Sequence, residues 1–292
     1  MPRARIAFVN TYNLFPPGAQ IARPVPVDAQ ALQSKLLELQ SMVGGVVPPT
    51  FLGLCEVAEE RYAQEIVALL PGNYSCLWAP PNHIQETGLA LLYRPDEVVL
   101  VQPIVVSPHQ RRPHWLAALF QMRQGSRAPL WIVVNHWPSQ RNPEARRLQV
   151  SQELGEFWQR TGRVQTNNAI LMGDFNCEPF DLPFRQSWLP WRGTRSRSYA
   201  LRPGVQRSTA AVSWFYGPMW RCLGDSLPGD LFRETGTWRR EVTEEWRMYD
   251  HFWVEPRLLS GGQIDFEEST LQLVHPTTDA TDHCAILADL IY

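Results

Sequence analysis

The sequence predicts an α/β or α+β fold, and three observations carry that prediction. Short apolar runs of strand length alternate with stretches of helical period, polar residues fall repeatedly where the apolar runs stop, and no internal repeat is present. With 292 residues, 44% hydrophobic and 19% charged, the chain can bury a substantial core. That length allows one large or two ordinary domains. Polar stations spread from Asn10 to His283 must all meet to act together, so a single domain spanning 1–292 is the simpler expectation.

The elements follow in order. Ile6 to Val9 opens a strand, 5–10, that ends on Asn10, with Asn13 three residues on. Asp28 can cap a helix carrying Leu32, Leu36 and Leu39 and ending near Gly44-Gly45. Phe51 to Cys55 reads as a buried strand, 50–55, and delivers Glu56, a carboxylate that such a setting would not tolerate unpaired; a metal ion is the obvious partner. A helix over 58–70 is stopped by Pro71-Gly72, and strands are expected at 74–79, 88–93, 98–106 and 115–122. Leu130 to Val134 forms a strand, 130–135, leading to Asn135 and His136. Asn142-Pro143 gives a cap and first-turn signal for a helix through Leu148, Leu154 and Trp158 that ends near Gly162. Strands at 168–173, 249–254 and 284–291 complete the pattern.

The run AILMGDFNCEPFD, from Ala169 to Asp181, is the most informative. It delivers Asp174 and Asn176 at a strand's end, where side chains two apart on extended backbone point the same way and Gly173 lets the chain turn. Gly, Asp and Asn are favoured wherever a strand stops, so alone this would be an ordinary turn. Asn10, Glu56 and Asn135-His136 follow apolar runs in the same manner, and near the end Asp250-His251 and Asp282-His283 each set an acid beside an imidazole in apolar sequence.

These motifs, N-x-x-N-L-F at Asn10 to Phe15, Glu56 after a hydrophobic strand, NHW at Asn135 to Trp137, GDFN at Gly173 to Asn176 and the terminal Asp282-His283, together resemble the endonuclease/exonuclease/phosphatase superfamily with the deoxyribonuclease-like fold. Five motifs in order are far more specific than any one. Weaker pieces resemble its bacterial nuclease branch: Glu86 to Pro95, Arg111 to Phe120, Asn135 to Gln140 and Phe215 to Trp220. There are departures. Cys55 stands where such families often have Gln, and Cys284-Ala285 follow His283 where a proline is common one residue later. The P-x-W-C-D-R run of inositol polyphosphate phosphatases is absent, which narrows the substrate class.

The resemblance implies a four-layer sandwich, two mixed β-sheets face to face with helices outside. It also implies metal-assisted hydrolysis of a phosphoester. Glu56 would hold Mg²⁺ or Mn²⁺, with Asn10 and Asp282 completing or orienting its shell; Mg²⁺ keeps several waters, so one or two carboxylates suffice. Asp174 would position and deprotonate the attacking water, and Asn176 would bind the phosphate or fix Asp174. His283, oriented by Asp250, and His136 would hold the non-bridging oxygens. His251 reads as a packing residue beside that set. His83, His109, His114 and His275 read as structural.

Charge distribution says more than the net charge of −2. From Leu182 to Gly224 there is no Asp or Glu but seven arginines, Arg185, Arg192, Arg195, Arg197, Arg202, Arg207 and Arg221, interleaved with Trp188, Trp191, Tyr199, Trp214, Phe215, Tyr216 and Trp220. Such a stretch can hold a nucleic acid by guanidinium forks and base stacking. Equally, the aromatics can be core and the arginines a solvated loop. Arg195 and Arg197 are candidate phosphate contacts, as are Arg111 and Arg112 before Pro113. Lys35 is the only lysine.

The expected activity is a divalent-metal-dependent nuclease, with DNA the first expectation and RNA left open. Two rivals stay beside it: a phosphoesterase acting on a lipid head group or small phosphorylated molecule, which an exposed aromatic hairpin at 212–220 would favour, and a non-catalytic module binding nucleic acid or protein. No apolar run is long enough to cross a bilayer, and five cysteines, Cys55, Cys76, Cys177, Cys222 and Cys284, lack CxxC pairing. A cytoplasmic location with reduced thiols and no membrane partner is expected. A protein partner in a larger system is not legible.

Overall fold

The computed structural model describes residues 1–19, 25–45, 47–83, 85–102, 104–108, 112–187, 189–206, 212–222, 236–240, 245–278 and 281–292. Arg111, His109, Trp188 and Arg207 lie outside the described residues. In chain order the strands are β1 (Arg3–Leu14), β2 (Phe51–Val57), β3 (Ser75–Ala79), β4 (Gly88–Tyr93), β5 (Val98–Leu100), β6 (Val105–Val106), β7 (Trp115–Met122), β8 (Pro129–His136) and β9 (Ala169–Asp174). They continue with β10 (Trp191–Thr194), β11 (Ser213–Tyr216), β12 (Trp238–Arg240), β13 (Glu245–Arg247), β14 (Asp250–Val254), β15 (Asp265–Val274) and β16 (Ala285–Ile291). The longer helices are α1 (Ala29–Gly44), α2 (Glu60–Leu69) and α3 (Glu144–Phe157).

Among the described residues, two mixed sheets form the centre. One runs β15-β16-β1-β2-β4-β3 and the other β10-β11-β14-β9-β8-β7-β5. Alternation along each strand divides the apolar residues between two packing layers. Ile6 and Phe8 of β1 join Ile132, Val134, Ile170 and Met172 of the second sheet in the central core. Ala7 and Val9 face outward, onto Leu36, Leu39 and Met42 of α1 and Ile66 of α2. On the far side, Trp131, Val133 and Leu171 pack against Val150, Leu154 and Phe157 of α3. The result is helix, sheet, sheet, helix, as the resemblance implied. The sheets approach so closely at Gly53 that a Cβ there would stand 2.8 Å from the Met172 methyl.

Asp28 caps α1 as its sequence predicts, its carboxylate accepting from Ala31 N at 2.8 Å. Asn142 does not cap α3: its side chain turns back to Ser139, and Pro143 supplies the entry without a side-chain bond. The single strand expected over 98–106 is two short ones, β5 and β6, both paired with β7. Segment 212–220 is no aromatic hairpin. It is β11 followed by a short 3₁₀ turn, with Phe215, Tyr216 and Met219 buried. Strands β10, β12, β13 and β15 were not anticipated, because they carry charges and glycines in place of apolar runs.

Candidate active site

The site lies where the two sheets meet at the C-terminal ends of β8 and β9. Parallel pairing of β8 with β9 sets His136 beside Asp174, and antiparallel pairing of β9 with β14 sets Asp174 beside Asp250. One imidazole and two carboxylates therefore stand in a row across three adjacent strands. Gly173 makes this register possible: at φ 155° its absent Cβ leaves room for the Asn135 carbonyl, which a Cβ would meet at 2.3 Å. Gly173 thus permits a close approach within the strand; it does not start the turn.

The facing sheet supplies the other half. Asn10 on β1 donates through Nδ2 to Asp174 Oδ2 at 3.0 Å, and the same atom stands 3.5 Å from Glu56 Oε1 and 3.4 Å from His283 Nε2. Asn10 Oδ1 accepts from Tyr12 N at 2.9 Å. Glu56 is delivered by paired irregularities: register shifts between Asn10 and Leu14 on β1 and between Cys55 and Val57 on β2. Such bulges re-aim a side chain. Asn13 N then holds Glu56 Oε2 at 2.9 Å.

Among the described residues, the non-glycine positions with positive φ are Tyr12, Asn13, Glu56 and Asn176, all of them here. Each costs roughly 1–3 kcal/mol that surrounding contacts must offset. Asn176 therefore reaches its place through a left-handed residue, φ 50°, where its sequence suggested extended backbone. Its N–H donates to Asp174 Oδ1 at 2.8 Å and its amide Nδ2 to the Trp137 carbonyl at 3.1 Å.

His283 Nδ1 and Asp250 Oδ2 are 2.8 Å apart. Burial works against a charged His283, but Asp250 and Asp282 outweigh it and hold the ring's pKa at about 10, so it is an imidazolium at neutral pH. Asp174 is pushed up to about 7, first by burial and then by the Asp250 charge, with His283 and the Asn176 N–H pulling the other way. His136 Nε2 lies 3.4 Å from Glu56 Oε1 and 3.9 Å from Asp174 Oδ2, and Arg112 Nη1 stands 3.4 Å from His136 Nδ1. Asp282 Oδ1 is 3.7 Å from His283 Nε2.

Two ligand clusters result. Glu56, His136 and Asp174 each offer an atom within 4.8 Å of the others, as do Asp174, Asp250 and His283, although in the second the protonated His283 leaves only the carboxylates as ligands. The donors are mainly carboxylate oxygens, the set a hard divalent cation prefers. Among the described residues the buried oxygens Asp250 Oδ1 and Asp282 Oδ1 have no hydrogen-bond partner, a second sign that the site fits a cation.

Of the remaining candidates, Arg112 reaches the site and Arg197 does not. Arg197 is held by Glu268 at 3.1 Å and by the Leu259 carbonyl at 2.8 Å. Arg195 lies against the Trp220 ring. His251 alternates to the opposite face, among Phe175, Phe184 and Trp253, where burial lowers its pKa to about 4. Sequence reading missed Thr237, whose Oγ1 accepts from the N–H groups of Tyr249 and Asp250, and Trp238, whose Nε1 donates to Asp282 Oδ2 at 2.7 Å. No apolar run precedes them to mark a strand end. It also missed Lys35, which donates to the Tyr12 carbonyl and whose pKa burial lowers to about 8 against the pull of Glu56 and Asp282.

The model of the endonuclease/exonuclease/phosphatase family matches residues 11–283. The chain belongs to this family. Its members hydrolyse phosphate esters, which accords with the clusters just described. No curated protein matches the sequence. Among solved structures, D. rerio TDP2 humanized by 14 mutations is 15% identical with a TM-score of 0.65, each chain covered to 99%. The Bacteroides thetaiotaomicron mannosyl-6-phosphatase is 14% identical with a TM-score of 0.63, covering 99% of this chain and 100% of that one. The human Nocturnin catalytic domain, with bound sulfate, is 16% identical with a TM-score of 0.62, covering 99% and 94%. At these identities the likeness is one of family fold. Among the described residues no helix is long and apolar enough to cross a membrane.

Proposed function

We propose that this family member is a divalent-metal-dependent phosphodiesterase that hydrolyses nucleic acid by in-line attack of water. The observation that carries the reading is the convergence on Asp174 of Asn10, His136 and the Asn176 N–H, with Asp250 and His283 adjoining. Glu56, with Asp282 at the rim, would hold Mg²⁺ or Mn²⁺, and Asp174 stands beside them. The bound cation supplies a Lewis acid to the phosphate oxygens. Asn10, its amide nitrogen facing both carboxylates, orients Glu56 and Asp174.

Asp174, with a pKa near neutrality, is poised to take a proton from the attacking water. Asn176 fixes its second oxygen through the backbone. His283, kept charged by Asp250, donates to a non-bridging oxygen as negative charge gathers, and His136 does so from the other side with Arg112 behind it. A TDP2 neighbour solved with a single-strand DNA product supports a nucleic-acid substrate for the fold.

The test is incubation with fluorescent single-stranded DNA, duplex DNA and RNA in Mg²⁺, Mn²⁺ or EDTA, beside Asp174→Ala. Cleavage of a polymer that needs both metal and Asp174 is the expected result. Turnover of small phosphorylated molecules with every polymer left intact would overturn the nucleic-acid assignment.

A further inference from the structure

The segment leaving Asn176 forms one wall of a pocket of about 270 Å³. Phe180, Arg185, Thr194, Arg195 and Trp220 line it, and among the described residues no acidic side chain does. Phe180 is 46% exposed, a large ring left facing solvent. Its centroid is 5.9 Å from that of Trp220 with 49° between the planes, a tilted contact in which Trp220 supports a ring that remains partly open to solvent. The Arg195 guanidinium sits 5.1 Å from the Trp220 centroid, held by the ring's π-face. Among the described residues its N–H fork has no hydrogen-bond partner, and such a fork matches phosphate oxygens. Arg185 Nη1 donates to the Phe180 carbonyl at 3.4 Å and steadies that wall. Phe180 is four positions on from Asn176, so their Cα atoms are within about 14 Å of one another.

We propose that this pocket receives an unpaired base and its phosphate from a single-stranded nucleic acid engaged at the reaction site. The inference rests on the phosphodiesterase reading above and deepens it. The exposed Phe180 ring, backed by Trp220, suits a flat base with a free face, and Arg195 suits the phosphate attached to it. A base within a duplex is stacked on both faces and must be unstacked before it can enter. A small phosphorylated molecule bound at Asp174 would not need a pocket at this remove.

Binding of a short fluorescent oligo-dT strand, followed by anisotropy in EDTA, tests the pocket without turnover. Phe180→Ala and Trp220→Ala are expected to weaken binding about 5- to 150-fold, the range for loss of one stacked base. Phe180→Tyr, which keeps the ring, should retain most of the affinity. Arg195→Gln should flatten the slope of log affinity against log salt by about 0.7, one phosphate's worth on a single strand. A duplex of the same sequence should respond to none of the aromatic changes. Thermal unfolding of each variant separates lost stacking from lost folding, and the solvent-facing Phe180 decides if Trp220→Ala unfolds. No binding by the wild type, equal binding by Phe180→Ala, or an equal loss for duplex would each overturn the proposal. Hydrolysis of bis(p-nitrophenyl) phosphate by the wild type with Mn²⁺ tests the catalytic reading separately: its failure alone would sink that reading, and with it the placement of this pocket beside a reaction site.

Discussion

Two buried carboxylates sit at opposite ends of the β9/β14 strand pair, and they teach different things. Asp174 pairs with Asp250 at one end; at the other, Glu255 donates its N–H to the Ala169 carbonyl. Both are pushed up, Asp174 to about 7 and Glu255 to about 8, chiefly by burial. Around Asp174 stand an amide, two imidazoles, further carboxylates and the left-handed Asn176. Around Glu255 there is a 3₁₀ turn whose Arg257 N–H it accepts at 2.7 Å, with the Arg257 and Arg163 charges pulling its pKa back down. A raised carboxylate pKa is therefore no mark of catalysis by itself. What separates the two ends is convergence of donors and strained backbone on one of them.

The sharpest way to break that comparison is to neutralise each acid. Asp174→Asn should lower metal-dependent turnover by about 10³-fold or more, within the range for loss of a general base, whereas Glu255→Gln should leave turnover within about twofold. Steady-state rates on one labelled substrate check both, and equal losses would erase the distinction. Next in size, His283→Gln should cost about 10²- to 10³-fold in kcat, as loss of a charged donor to the transition state does.

At the other end the effect should appear in stability. Glu255 has a folded pKa raised from 4.5 to about 8, so its contribution is fully present below about pH 4.5 and is lost as pH rises to about 8. Glu255→Gln escapes that loss, and its unfolding free energy should gain on the wild type by about 2–4 kcal/mol between those limits. Urea unfolding at pH 5 and pH 8 measures the gap, and a constant gap would refute the assignment. His251, whose folded pKa is lowered from 6.5 to about 4, has the opposite sign. Its contribution is present above about pH 6.5 and lost as pH falls through about 4, which should cost the wild type about 1–3 kcal/mol. Chemical unfolding across that window, compared with a His251→Gln variant, isolates it.

The catalytic end was legible where chemistry coincides with a strand's end. Asn10, Glu56, His136, Asp174 and Asp250 each follow or open an apolar run, and register alone places His136, Asp174 and Asp250 in line. Their backbone was not legible, because the left-handed turns at Asn13 and Glu56 accompany paired bulges on β1 and β2, and that at Asn176 lies in the turn after β9. Trp238 was missed for a related reason: its partner Asp282 is 44 residues away. The arginine-rich stretch split in a way its composition could not reveal. Trp191 and Phe215 are core, Arg197 is tied to Glu268 71 residues on, and Arg195 with Trp220 faces a pocket. Only tertiary pairing distinguishes adjacent arginines of one stretch.

The neighbour relations of β1 carry a kinetic consequence. It lies between β2 and β16, so the contact between Asn10 and His283 joins residues 273 apart in the chain. Closing so long a loop is slow, and synthesis proceeds from the N-terminus. Every strand through β15 can be made while the imidazole is still without its seat. The candidate site is therefore assembled only when 285–291 docks on β1 and brings His283 against Asn10.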